Sequence, residues 1–163
     1  SRGGPGRNWE IEGQLEMHSR TEWVPDYSVP RRPDADMPIF DDLTPGEFYP
    51  STLPTGAIRD AVADAGIIAN TYIDDQGGGA FLSEFIGLLG TRHQLLNGGP
   101  DAEFRTFATG HIHVGISTPA DIAAQAAEIS IETLIDHLET VVPAPSTVAM
   151  LGVFALNCAR RRR

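Results

Sequence analysis

Apolar and polar residues alternate along two stretches of this 163-residue chain. In the first, Trp9, Ile11, Gly13, Leu15 and Met17 alternate with Glu10, Glu12, Gln14, Glu16 and His18. A period of two turns the first set to one face of a strand and the second set to a wetted face. In the second, Phe104, Thr106, Ala108, Gly110, Ile112, Val114 and Ile116 alternate with Arg105, Phe107, Thr109, His111 and His113, which predicts a long strand. Helical spacing shows in residues 56–66, where Ile58, Val62 and Ala65 share a stripe that ends at Gly66. Residues 67–73 read as a strand, Asp74 to Gly79 as a turn, and Phe81 to Leu89 fits helix and strand equally. Pro119 to Glu128 is alanine-rich and reads as a helix, and the β-branched run over 128–135 favours a strand.

Prolines 25, 30, 33, 38, 45, 50 and 54 exclude a regular helix from residues 24–55. That stretch reads as an extended connection anchored by Phe40, Phe48 and Tyr49. The pattern as a whole predicts a mainly β fold, a β-sandwich with one or two short helices. Residues 1–8 read as a loose N-terminal segment, 9–140 as one β-rich domain, and 141–163 as a separate tail.

The tail has three parts in order: Pro143 and Pro145, an apolar run from Ser146 to Ala159, and Arg160, Arg161, Arg162 and Arg163. The prolines keep the chain extended, and Ser146 or Thr147 can cap a hydrophobic helix behind them. As a helix the 14 residues 146–159 would span about 21 Å, short of the ~30 Å hydrocarbon core, with arginine side chains reaching outward to close part of the gap. Four terminal arginines would hold that end on the inner side of a membrane.

The order Val142-Pro143-Ala144-Pro145-Ser146-Thr147, apolar run, Arg160 to Arg163 resembles the PEP-CTERM sorting signal of exosortase-containing bacteria. Ala144 stands where that family most often has glutamate. The resemblance implies an exported protein, processed by an exosortase-type membrane peptidase and transiently held in the inner membrane. It also implies a surface or secreted location, in many such proteins beside extracellular polysaccharide. On this reading the body is a non-enzymatic envelope or matrix component. The chain starts at Ser1 with no apolar leader after it, so a signal peptide would stand upstream of this segment.

Charge narrows the partners. The formal net charge is −10, and setting aside the four terminal arginines of the 12 basic residues leaves 8 against 22 acidic ones, or −14. Such a body repels phosphate backbones, which argues against nucleic acid. The one cysteine, Cys158, lies in the apolar run and has no partner for a disulfide within the chain.

Candidate chemistry in the body is sparse. Gly110-His111-Ile112-His113 sets two imidazoles on one strand face, a geometry that can hold a divalent metal. The tetrapeptide resembles the late Gly-His-x-His motif of metallophosphoesterases, but the earlier Asp-x-His and Gly-Asp-x-x-Asp motifs are missing. Asp74 and Asp75, ahead of Gln76 and three glycines, are candidate oxygen ligands. These residues define a rival reading, a secreted metal-dependent hydrolase using His111 and His113. A second rival is a carbohydrate-binding module presenting Trp9, Trp23, Tyr27 and Tyr72. No resident cofactor is expected under the favoured reading, and no serine elbow of the Gly-x-Ser-x-Gly kind occurs.

Overall fold

A computed structural model of the chain describes residues 6–19, 21–24 and 40–142. Its elements run β1 (Asn8–Glu12), β2 (Gln14–Glu16), β3 (Phe48–Pro50), α1 (Thr55–Asp64), β4 (Asn70–Asp74), α2 (Leu82–Asn97), β5 (Ile112–Val114) and α3 (Ala120–Val141). β1 is the centre of a three-stranded sheet, parallel to β4 and antiparallel to β5. β2 and β3 form a separate antiparallel pair. The parallel β1–β4 pair with α1 in the connection is an α/β arrangement. It replaces the expected β-sandwich.

The first alternating run is two strands rather than one. The backbone breaks at Gly13, whose N–H donates to the Asp74 carbonyl and whose carbonyl accepts from the Ser51 N–H. A Cβ at Gly13 would fall on Asp75 Oδ1, so only glycine lets the chain pass so close to the end of β4. The two halves of the run serve different cores. Trp9 and Ile11 pack with Ile58, Val62, Ile68 and Ala126 beneath α1 and α3. Leu15 and Met17 pack with Trp23, Phe40, Leu43 and Leu88 beneath α2.

α1 forms where its apolar spacing predicts, and Gly66 just beyond it takes φ +65°, the left-handed conformation that glycine adopts most cheaply. The strand expected over 67–73 begins three residues later, as β4. The undecided stretch from Phe81 belongs to a 16-residue helix, α2, whose inner face is Ser83, Glu84, Gly87, Leu88 and Thr91. These residues recur at three- and four-residue intervals, a helical rather than a strand period.

Two strand expectations fail. Of the alternation over 104–116 only Ile112–Val114 forms a strand, and Phe104 is 81% exposed. The loop before it is tied instead by Thr52 and Thr109, whose backbone and hydroxyl groups bond each other. The strand expected over 128–135 is the middle of the 22-residue α3. Ile122, Ala123, Ala126, Ala127, Ile129 and Ser130 face the sheet at helical spacing, and that burial outweighs the β-branched preference. Ser130 joins the core by accepting a hydrogen bond from Trp9 Nε1 at 3.2 Å while donating to the Ala126 carbonyl.

No described helix is long and apolar enough to cross a membrane. Val142 closes α3, while Pro143, Ala144, Pro145, Ser146, Thr147 and Arg160 to Arg163 lie outside the described residues, as does the expected C-terminal hydrophobic helix.

Candidate active site

Strand register gives the central sheet two unlike faces. Trp9 and Ile11 turn toward α1 and α3. Glu10 and Glu12 turn the other way, together with Tyr72 and Asp74 of β4 and His113 of β5, which pair directly with them. The parity that looks like a wetted face is therefore enclosed: Glu12 is 0% and His113 6% exposed.

His113 Nε2 lies 3.1 Å from Glu12 Oε1. The contact is an ion-pair distance off the line of a well-formed hydrogen bond, since neither Glu12 oxygen has a hydrogen-bond partner among the described residues. Burial pushes the Glu12 carboxyl up to about 8, reinforced by the carboxylates of Glu10, Asp74 and Glu84. Burial pushes His113 down to about 4, helped by the neighbouring His111. Both shifts oppose charge, so at neutral pH an uncharged acid faces an uncharged imidazole. Burial also raises Glu10, which accepts a hydrogen bond from Tyr72, and carries the Tyr72 phenol to about 12.

α2 packs on β2 and beside the segment that leads into β5. A Cβ on Gly87 would stand 2.7 Å from Leu15 Cδ1 and 3.1 Å from His111 Cβ, so the helix rests directly on β2 and on the segment leading into β5. Ser83 is one turn before Gly87 on that same face. Its hydroxyl is buried and has no hydrogen-bond partner among the described residues. An unsatisfied buried hydroxyl costs stability, and such groups concentrate where chemistry is done. Ser83 also sits in the first turn of α2, which has no side-chain cap on its free N–H groups.

The metal candidates separate. His111 and His113 meet edge to face, ring centroids 4.5 Å apart, and burial lowers both. Asp74 accepts from the Gln76 N–H, and Asp75 crowds Gly13. No group of three or more His, Cys, Asp or Glu among the described residues could hold a metal ion. Trp9 and Trp23 are 3% and 1% exposed, so they offer no strip for a sugar to stack on.

Sequence reasoning missed Glu12, Ser83 and Glu84. The glutamates alternating with Trp9 and Ile11, and separately the Gly77-Gly78-Gly79-Ala80 turn ahead of Ser83, were the available signals. Alternation reads the glutamates as solvated, and nothing local shows that they are enclosed.

No family model matches the chain, and no curated protein does. Solved structures do. A mutant pyrrolidone carboxyl peptidase from Pyrococcus furiosus superposes with a TM-score of 0.60 at 24% identity, over 83% of this chain and 66% of that one. The pyrrolidone carboxyl peptidase from Thermococcus litoralis gives a TM-score of 0.54 at 21% identity, over 85% and 66%. The fold is similar to that of a peptidase. The chain spans 66% of the length of these two structures.

This likeness corrects the reading of the body as a non-enzymatic surface or matrix protein. The expected export through a C-terminal membrane segment finds no support among the described residues: none of their helices is long and apolar enough to cross a membrane, and the body is an α/β peptidase-like fold.

Proposed function

We propose that this chain is a hydrolase of the pyrrolidone carboxyl peptidase type, cleaving the amide bond that follows a pyrrolidone carboxyl group. Ser83 is its nucleophile, His113 its general base and acid, and Glu12 the group that orients His113. The observation that carries this reading is the enclosed Glu12–His113 pair, 3.1 Å apart, together with the buried Ser83 hydroxyl in the first turn of α2, which has no hydrogen-bond partner among the described residues. The peptidase-like fold supports it.

In this mechanism Nε2 of His113 stands toward Glu12, 3.1 Å away, and Nδ1 takes the Ser83 proton as Oγ bonds to the substrate carbonyl carbon. The oxygen that gains charge faces the free N–H groups at the start of α2. Collapse of the tetrahedral intermediate breaks the C–N bond, and His113 returns the proton to the departing amine. Water then attacks the acyl-serine, with His113 again taking and returning a proton. An ionised Glu12 stabilises the imidazolium formed at each proton transfer.

The test is hydrolysis of a fluorogenic pyrrolidone carboxyl amide by the purified chain. Ser83→Ala is expected to lower kcat/KM by roughly 10³-fold or more with the fold intact by circular dichroism. The wild-type rate is expected to rise with pH through about 8 as Glu12 ionises, because His113 is already neutral above about 4. Unchanged turnover in the Ser83 variant would remove the assignment.

A further inference from the structure

Glu84, next in sequence to Ser83, is 0% exposed. Its carboxylate takes three donors from three places. Oε1 accepts the Glu16 N–H at 2.7 Å, and Oε2 accepts the Ala80 N–H at 2.7 Å and stands 2.9 Å from His18 Nε2. His18 is itself held edge-on against the buried Trp23, centroids 4.9 Å apart.

The glycine turn is moulded on this side chain. A Cβ on Gly77 would stand 2.7 Å from Glu84 Oε1, and one on Gly78 2.9 Å from Glu84 Cβ. Gly77 and Gly79 take positive φ, and so does Ala80 at +63°, a conformation costly for a residue with a Cβ. The bond from the Ala80 N–H to Glu84 is what the structure offers to hold it there. Glu84 is the third residue of α2, and a glutamate there commonly reaches back to a backbone N–H at the helix start. An ordinary cap satisfies one exposed donor. This one satisfies two backbone donors and an imidazole in the interior and joins β2 to the turn that precedes Ser83.

We propose that Glu84, with His18 behind it, is a positioning residue that fixes the Gly77–Ala80 turn and thereby the direction of the Ser83 hydroxyl. The inference rests on Ser83 as nucleophile. A glutamine in place of Glu84 has one acceptor oxygen and an amide group, so one of the two backbone N–H groups loses its acceptor while the volume stays the same.

The experiment compares wild type, Glu84→Gln and His18→Gln in three measurements: turnover of the pyrrolidone carboxyl amide, labelling of Ser83 by a small fluorophosphonate, and exchange of the Ala80 amide hydrogen. Glu84→Gln is expected to lower kcat and the labelling rate together by roughly 10- to 100-fold, with KM within about twofold and faster Ala80 exchange. His18→Gln is expected to show the same pattern at smaller amplitude. Faster Ala80 exchange with unchanged kcat and labelling would overturn the proposal, because the turn would have loosened without consequence for Ser83. If wild type is labelled at Ser83 yet leaves the amide intact, the substrate assignment fails, and the labelling rates still decide for or against Glu84. Wild type that is neither labelled nor active overturns both. Should Glu84→Gln not fold, Glu84→Asp carries the comparison, since it keeps the charge but draws the carboxylate back from Ala80.

Discussion

Glu12 and His113 have shifts of opposite sign, and the signs give a pH dependence of stability. Glu12 rises from 4.5 to about 8 on folding, so between those values the native chain holds a proton that the unfolded chain has lost. Its contribution is complete below 4.5 and is lost as pH rises through about 8. His113 falls from 6.5 to about 4, so its contribution is present above 6.5 and is lost as pH falls through about 4. Between 4.5 and 6.5 the two slopes oppose each other. From 6.5 to about 8 only the Glu12 slope of this pair remains, and stability falls with pH. Thermal melts across that window are expected to show a declining midpoint in wild type and a flatter one in Glu12→Gln. Parallel declines in the two proteins would show that Glu12 is not the group responsible. These residues also mark what the sequence hides at this scale. The alternation of Trp9 and Ile11 with Glu10 and Glu12 reports correctly which side chains share a face. It does not report that Glu12 is enclosed, because burial is decided by packing between elements distant in the chain.

At the scale of elements, legibility follows the length of the periodic signal and the clarity of its end. α1 is readable because Ile58 and Val62 form a stripe that Gly66 terminates. Residues 128–135 mislead because Ile129, Ile131, Thr133 and Ile135 are β-branched and also alternate. Their side chains do not share one buried face: Ile129 packs on the core, while Ile131 and Ile135 are 57% and 50% exposed on the outer side of α3. Ser130 and Thr133 direct their hydroxyls to the carbonyls four residues back, which accommodates them in a helix. A substitution separates the two conformations. Ile131→Ala removes a mostly exposed side chain and is expected to leave stability unchanged or raise it by up to about 0.5 kcal/mol, because alanine is the better helix former. In a strand the same change would cost stability, so a clear fall in the denaturant midpoint would contradict a helical α3 at this position.

The whole molecule is organised around one short piece of chain. β1 and β2 are separated by Gly13 alone, yet β1 lies under α1 and α3 while β2 lies under α2, so the two apolar clusters meet through covalent continuity and a shared turn. The candidate site falls along this seam. Glu12 ends β1, Glu16 ends β2, and Glu84 from α2 bonds to the backbone of Glu16. A site of this kind keeps its geometry only if both clusters are folded together, which predicts one cooperative transition rather than two. Ile58 and Leu88 are fully enclosed members of the two clusters, 1% and 0% exposed. Ile58→Ala and Leu88→Ala are each expected to cost about 2–5 kcal/mol through lost burial and the cavity left behind. If the seam couples the clusters, each variant shifts a single unfolding curve, and tryptophan fluorescence follows far-UV circular dichroism in both. Trp9 reports on the first cluster and Trp23 on the second, so the comparison reads both sides of the molecule. Two resolved transitions, with Ile58→Ala moving one and Leu88→Ala the other, would show that the halves fold independently. The Glu84 bond to Glu16 would then be a contact between neighbours and not part of a common frame. A single transition in both variants would make the stability of either cluster a condition for the catalytic geometry, so that substitutions remote from Ser83 reduce activity to the extent that they reduce the folded population.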